Sequence, residues 1–94
     1  MNLVVAPEAL ADMTRLRRFL EQQNADAAAR AISLIEDAIQ SLATLPNRGR
    51  ASGVSGLREL AVPFGNSAYV IRYGVVARTE TVLIVRVWHG RETR

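Results

Sequence analysis

The chain has 94 residues, with twelve arginines, no lysine and nine acids, for a formal net charge of +3; it has one His and no Cys. That length makes a single domain, residues 1–94, and the lack of cysteine excludes disulfides and thiolate metal sites. With 49% apolar residues the chain is not a disordered one, and it has no apolar run long enough to span a membrane.

The first residues, Asn2 to Val5, read as a short strand. They lack the basic start and long apolar core of a secretory signal, so a cytoplasmic protein is expected. Pro7 suits the first turn of a helix, and Glu8 favours the positive end of its dipole. Ala9, Met13, Leu16 and Leu20 then recur at helical spacing, flanked by Leu10 and Phe19, while Arg15, Arg17 and Arg18 fall largely off that stripe. Gln22 to Ala25 breaks the pattern, and Asn24 or Asp26 can cap a second helix. Ala28, Ile32, Ile35, Ile39 and Leu42 give that helix one apolar face, and Pro46 is expected to end it. A connection this short favours antiparallel neighbours, so the two helices form a hairpin.

Asn47 to Gly56 is rich in Gly, Ser and Arg and reads as an exposed loop. Arg58 to Val62 is a strand, Pro63-Phe64-Gly65-Asn66 a turn, and Ala68 to Val76 a strand that places Tyr69, Ile71 and Tyr73 on one side. Ala77 to Glu80 connects it to Thr81–Trp88, a nearly continuous apolar run. Such a run suits a strand buried on both faces, flanked by the first strand. The expected fold is α+β: an N-terminal strand and an α-helical hairpin packed on a small, mostly antiparallel sheet, in the order β-α-α-β-β-β.

The charge is unevenly spread. Residues 1–45 hold four Arg and six acids, a balance of −2, whereas residues 46–94 hold eight Arg and three acids, a balance of +5. The strand half is therefore the half expected to meet an acidic partner. Arg48, Arg50, Arg58, Arg72, Arg86, Arg91 and Arg94 can bind carboxylates or phosphates; the alternative is a solvated face with ion pairs to Glu59, Glu80 and Glu92. Arg86 interrupts the apolar strand, so it must find a carboxylate or reach the sheet rim. His89 closes that strand and can act as a general acid or base, or simply bond to backbone. Tyr69 and Tyr73 are core packing or stacking platforms, and Trp88 is a core or interface anchor. One His and no Cys make no metal cluster, and no cofactor motif is present.

Leu45-Pro46-Asn47-Arg48-Gly49-Arg50, Leu57-Arg58-Glu59-Leu60, Val62-Pro63-Phe64-Gly65, Tyr69-Val70-Ile71-Arg72-Tyr73 and Val82 to Arg91 follow one another after a helical N-terminal half. In this order and spacing the pattern resembles the RelE/ParE family of bacterial type II toxins, over essentially the whole chain. The resemblance implies a cytoplasmic growth inhibitor, of the kind that stabilises plasmids, bound and neutralised in a hetero-oligomer by a cognate antitoxin that is acidic and partly disordered when free. On the ParE-like side, which the chain resembles more, it implies inhibition of DNA gyrase by binding, without chemistry. On the RelE-like side it implies metal-independent, ribosome-dependent cleavage of mRNA, with His89, Arg86 and Arg91 as the catalytic candidates. A third expectation is a non-toxic remnant that only binds antitoxin. Antitoxin or target contacts are expected at Arg48, Arg50, Arg58, Arg72, Tyr73, Trp88 and Arg94. RNA-cleaving relatives carry an Arg after the position matching Tyr69, where this chain has Val70, and often end in a Tyr that is missing here.

Overall fold

The computed structural model describes residues 1–92. Strand β1 (Asn2–Val5) leads into helices α1 (Pro7–Glu21) and α2 (Ala25–Ser41). Strands β2 (Arg50–Ala51), β3 (Leu57–Phe64), β4 (Ser67–Val76) and β5 (Thr81–His89) follow, with a single 3-10 turn (Ala77–Thr79) before β5. They form one sheet in the order β1-β5-β4-β3-β2, parallel between β1 and β5 and antiparallel elsewhere. The α+β architecture expected from the sequence is the one observed.

Helix α1 starts with Pro7 in its first turn, and Asn24 caps α2 by accepting a 3.0 Å hydrogen bond from the Ala27 N–H. The expected apolar face of α2 is the buried one: Ala28, Ile32, Ile35, Ile39 and Leu42 are all under 8% exposed. Leu10 and Phe19, expected beside the α1 stripe, are instead 57% and 58% exposed. Helix α2 also stops at Ser41, before Pro46. The N–H groups of Leu42, Ala43 and Thr44 turn to the third carbonyl back, tightening the chain out of the helix.

The loop expected over residues 47–56 holds a strand after all: Arg50 and Ala51 pair with Glu59 and Arg58. The first hairpin is tighter than expected, because Pro63 and Phe64 belong to β3 and lie opposite Ala68 and Ser67. Strand β2 covers only Arg58 and Glu59, so the outer edge beside Pro63 is open and its missing N–H costs no ladder bond. Gly65 and Asn66 alone make the turn; Gly65 has φ of 60°, which suits the first central position of a two-residue hairpin loop.

One irregularity governs the C-terminal end of β5. Tyr73 pairs with Ile84 but Arg72 pairs with Arg86, so Val85 is an extra residue on β5. An inserted residue reverses the alternation of everything after it. Val82 and Ile84 face the helices before the bulge, and Val87 faces them after it; all three are fully buried in the core with Ile35, Leu42, Ile71 and Tyr73. The bulge therefore places Arg86 and Trp88 on the opposite face of the sheet.

Candidate functional site

Strand β1 ends opposite Ile84, leaving the rest of the β5 edge without a neighbouring strand. Helix α1 takes over there. Its Asp12, 3% exposed, accepts a 2.9 Å hydrogen bond from the Val87 N–H, an edge donor that would otherwise be unpaired. Arg86 reaches the same carboxylate through two hydrogen bonds, Nε to Oδ2 at 2.8 Å and Nη2 to Oδ1 at 3.0 Å. Arg15 adds a third cationic contact at 3.2 Å. Burial by itself would raise the Asp12 pKa, but hydrogen bonds from Arg86, the Val87 N–H and Arg15 outweigh it and bring the group down to about 2. The same contact raises the pKa of Arg86 further. Of the two fates open to Arg86, pairing with a carboxylate is the one realised.

Arg15 also donates to Glu92 Oε2 at 2.6 Å, and Glu92 Oε1 accepts the His89 N–H at 2.8 Å. His89 is partly buried, edge-on to Tyr69 with ring centroids 5.2 Å apart, and its Nδ1 accepts the Arg91 N–H at 3.2 Å. Burial, with help from the Glu92 charge, pushes the Tyr69 phenol up. Asp12, Arg15, Arg86, His89 and Glu92 thus form one polar cluster at the end of β5. Accepting at Nδ1 puts the proton of a neutral His89 on Nε2, the tautomer in which Nε2 is a donor.

The other candidate arginines of the strand half divide into two groups. Arg72 is bound by Glu59 through two hydrogen bonds, the shorter 2.8 Å, and its guanidinium lies 4.9 Å from the Trp88 ring centroid. Trp88, on the sheet face away from the helices, is only 7% exposed, so little of its ring is open to a partner. Arg48, Arg50, Arg58 and Arg91 form no ion pair among the described residues. Arg48 donates to the Ser41 hydroxyl at 2.8 Å and Arg58 to the Gly49 carbonyl at 2.7 Å. These two, with Arg50, put positive charge around the loop that carries β2. Arg94 lies outside the described residues.

Tyr73 has no exposure at all. Its hydroxyl accepts from the Gly49 N–H and donates to the Pro46 carbonyl, both at 2.8 Å. It clasps the basic loop from inside and offers no ring face to a ligand. The helix side presents a different surface, a groove of about 540 Å³ between α1 and α2 whose lining includes Leu10, Met13, Arg17, Arg18, Glu21 and Glu36. No cluster of metal-ligating side chains occurs among the described residues, and none of their helices is long and apolar enough to cross a membrane.

Sequence reasoning passed over Asp12, Arg15 and Gly49. Asp12 did leave a signal: it falls three residues after Ala9 and four before Leu16, on the apolar stripe of α1, where an acid needs a cation.

A model of the family described as the ParE toxin of the type II toxin–antitoxin system parDE matches residues 3–94. The toxin RelE1 of Caulobacter vibrioides is 42% identical over 93 residues, covering 99% of this chain and 97% of that protein. Among solved structures, the chromosomal ParDE system of P. aeruginosa superposes with a TM-score of 0.78 at 22% identity, covering 95% of each chain. The intact E. coli RelBE toxin–antitoxin complex gives 0.63 at 16% identity, covering 99% of this chain and 98% of that one.

Proposed function

The chain belongs to the RelE/ParE family of toxins of type II toxin–antitoxin systems, and from that premise we propose that it is a growth inhibitor neutralised by direct binding of a cognate antitoxin. The observation that carries the antitoxin reading is the α1–α2 groove. It joins exposed apolar surface (Leu10) to Arg17 and Arg18. Glu21 and Glu36 also line it, so the apolar strip carries the reading and net charge does not, and the docking face lies on the helices and not on the more basic strand half. An acidic segment that is disordered when free would lay apolar side chains on Leu10 and the partly buried Met13 while its carboxylates meet Arg17 and Arg18, and would order on binding.

For the target, the RelE-like reading comes first, because a full-length relative at 42% identity carries the RelE name. On that reading the toxin cuts mRNA on the ribosome, with the ribose 2′-OH as nucleophile. The polar cluster at the end of β5 then supplies the chemistry. His89 is within reach of solvent and can move a proton, and exposed Arg91 can stabilise the phosphate. Arg86 contributes only if it leaves Asp12.

The gyrase reading is second, supported by the ParE description of the family model and by geometry. Arg72 and Arg86 are both engaged by carboxylates, Tyr73 is sealed in the core and Val70 replaces the expected Arg. That arrangement suits a binding protein better than a nuclease.

Cell-free translation followed by primer extension separates the two. The RelE-like reading expects ribosome-dependent breaks in mRNA, reduced about a hundredfold or more by His89→Ala with Arg91→Ala. Intact mRNA together with blocked supercoiling by purified gyrase would reverse the order. No growth arrest on induction without antitoxin would leave only the remnant reading.

A further inference from the structure

The turn that follows β5 is held from two sides. Within it, the Glu92 N–H donates to the His89 carbonyl at 2.8 Å, the Arg91 N–H donates to His89 Nδ1 at 3.2 Å, and the His89 N–H donates to Glu92 Oε1 at 2.8 Å. The Gly90 N–H anchors its start to the Ala68 carbonyl at 2.8 Å. From outside, Arg15 on α1 grips Glu92 Oε2 at 2.6 Å while its other terminal nitrogen rests on Asp12, the buried carboxylate that pairs with Arg86. One carboxylate group therefore does two jobs. One oxygen of Glu92 fixes the backbone of His89 and the other ties the turn to the helix.

We infer that Glu92 and Arg15 are positioning residues for His89. They act by closing the turn whose Arg91 N–H selects the imidazole tautomer. As an ion pair alone the contact would do little, since the Arg15 side chain is 41% exposed and the Glu92 side chain 31%. Its effect is geometric. With the turn closed, Nδ1 is occupied as an acceptor and Nε2 carries the proton, so a neutral His89 presents a donor to whatever approaches the end of β5. With the turn open, Nδ1 loses its donor and the imidazole is free to exchange tautomers and rotamers, oriented among the described residues by its edge contact with Tyr69. Asp12 is itself fixed by Arg86 and the Val87 N–H, so through Arg15 the turn is tied to a carboxylate already held in place.

The consequence for growth inhibition rests on the reading that the end of β5 takes part in it, and the test separates that reading from the latch. Nitrogen-15 NMR of the full chain reports the His89 tautomer, and amide exchange reports its N–H. In the unaltered chain the imidazole should be held as the Nε2–H form. Glu92→Ala should mix the tautomers and speed exchange of the His89 amide about tenfold, the change expected from losing one ordinary hydrogen bond, while the Val87 amide stays protected. Glu92→Gln keeps an acceptor oxygen and should restore most of the order. Arg15→Gln, an exposed change on α1, should loosen the turn less and add little on top of Glu92→Ala. An unchanged His89 tautomer in Glu92→Ala, or equal acceleration of the Val87 amide, would overturn the latch. Mixed tautomers with undiminished growth arrest would keep the latch and remove His89 from the toxic site.

Discussion

Gly49→Ala is expected to destabilise the protein by on the order of 3 kcal/mol, through overpacking and the loss of buried hydrogen bonds. A Cβ at this position would stand 2.7 Å from the Glu59 carbonyl oxygen, 2.7 Å from the Tyr73 hydroxyl and 2.9 Å from the Tyr73 ring. None of these can yield cheaply. The Glu59 carbonyl belongs to the β2–β3 pairing, and the fully buried Tyr73 ring is part of the core. The loop must move instead, and it then loses both the Gly49 N–H bond to Tyr73 and the Arg58 bond to the Gly49 carbonyl. Urea unfolding should show a lower midpoint at unchanged slope, with a melting temperature lower by roughly 15 °C. Gly53→Ala is the matched control in the same loop. Nothing lies within 4 Å of its added carbon, so it should be close to neutral. Tyr73→Phe, which keeps the ring and removes only the hydroxyl, should cost about 2 kcal/mol because the Gly49 N–H and Pro46 carbonyl lose their partner. Equal stability of the Gly49 and Gly53 variants would show that the clasp does not hold the loop.

That clasp also shows what the sequence could and could not convey. Local pattern carried the helical hairpin: the spacing of Ala28, Ile32, Ile35, Ile39 and Leu42 names the buried face of α2, and Asn24 names its cap. Alternation likewise placed Tyr69, Ile71 and Tyr73 on one face of β4. What alternation could not show is the bulge at Val85, because an apolar run reads the same in either phase. Without it, Arg86 and Trp88 would have been assigned to the helix face. Asp12 and Arg86 were each visible as a charge in an apolar setting, but they are 74 residues apart in sequence, and only the fold says that they meet. Tyr73 looked like a possible ligand platform because its hydroxyl's partners, Pro46 and Gly49, come from a loop with no periodic signal. The candidate site was thus legible as a list of unusual residues, and tertiary contact sorted them into structural and accessible ones.

Asp12→Ala is expected to cost about 3 kcal/mol, at the lower end of what breaking a buried ion pair costs. The lower end applies because the Arg86 side chain is 36% exposed and can regain water, whereas the Val87 N–H it leaves behind cannot. The pH dependence identifies the carboxylate as the cause. Its pKa of about 2 in the folded chain lies below the ordinary 3.8, so the folded state holds the charged form more tightly than the unfolded state does. The resulting stability, about 2 kcal/mol, is fully present above pH ~4 and is lost as the pH falls from there through ~2. The Asp12→Asn variant keeps the shape but has no proton to bind. The gap in unfolding free energy between it and the unaltered chain should therefore be widest near neutrality and narrow below pH ~4. A constant gap across that range would mean that the charge of Asp12 contributes nothing and that packing alone explains the loss. The edge of β5 would then be secured by α1 through contact, and Arg86 would be available for other ligands at no electrostatic cost.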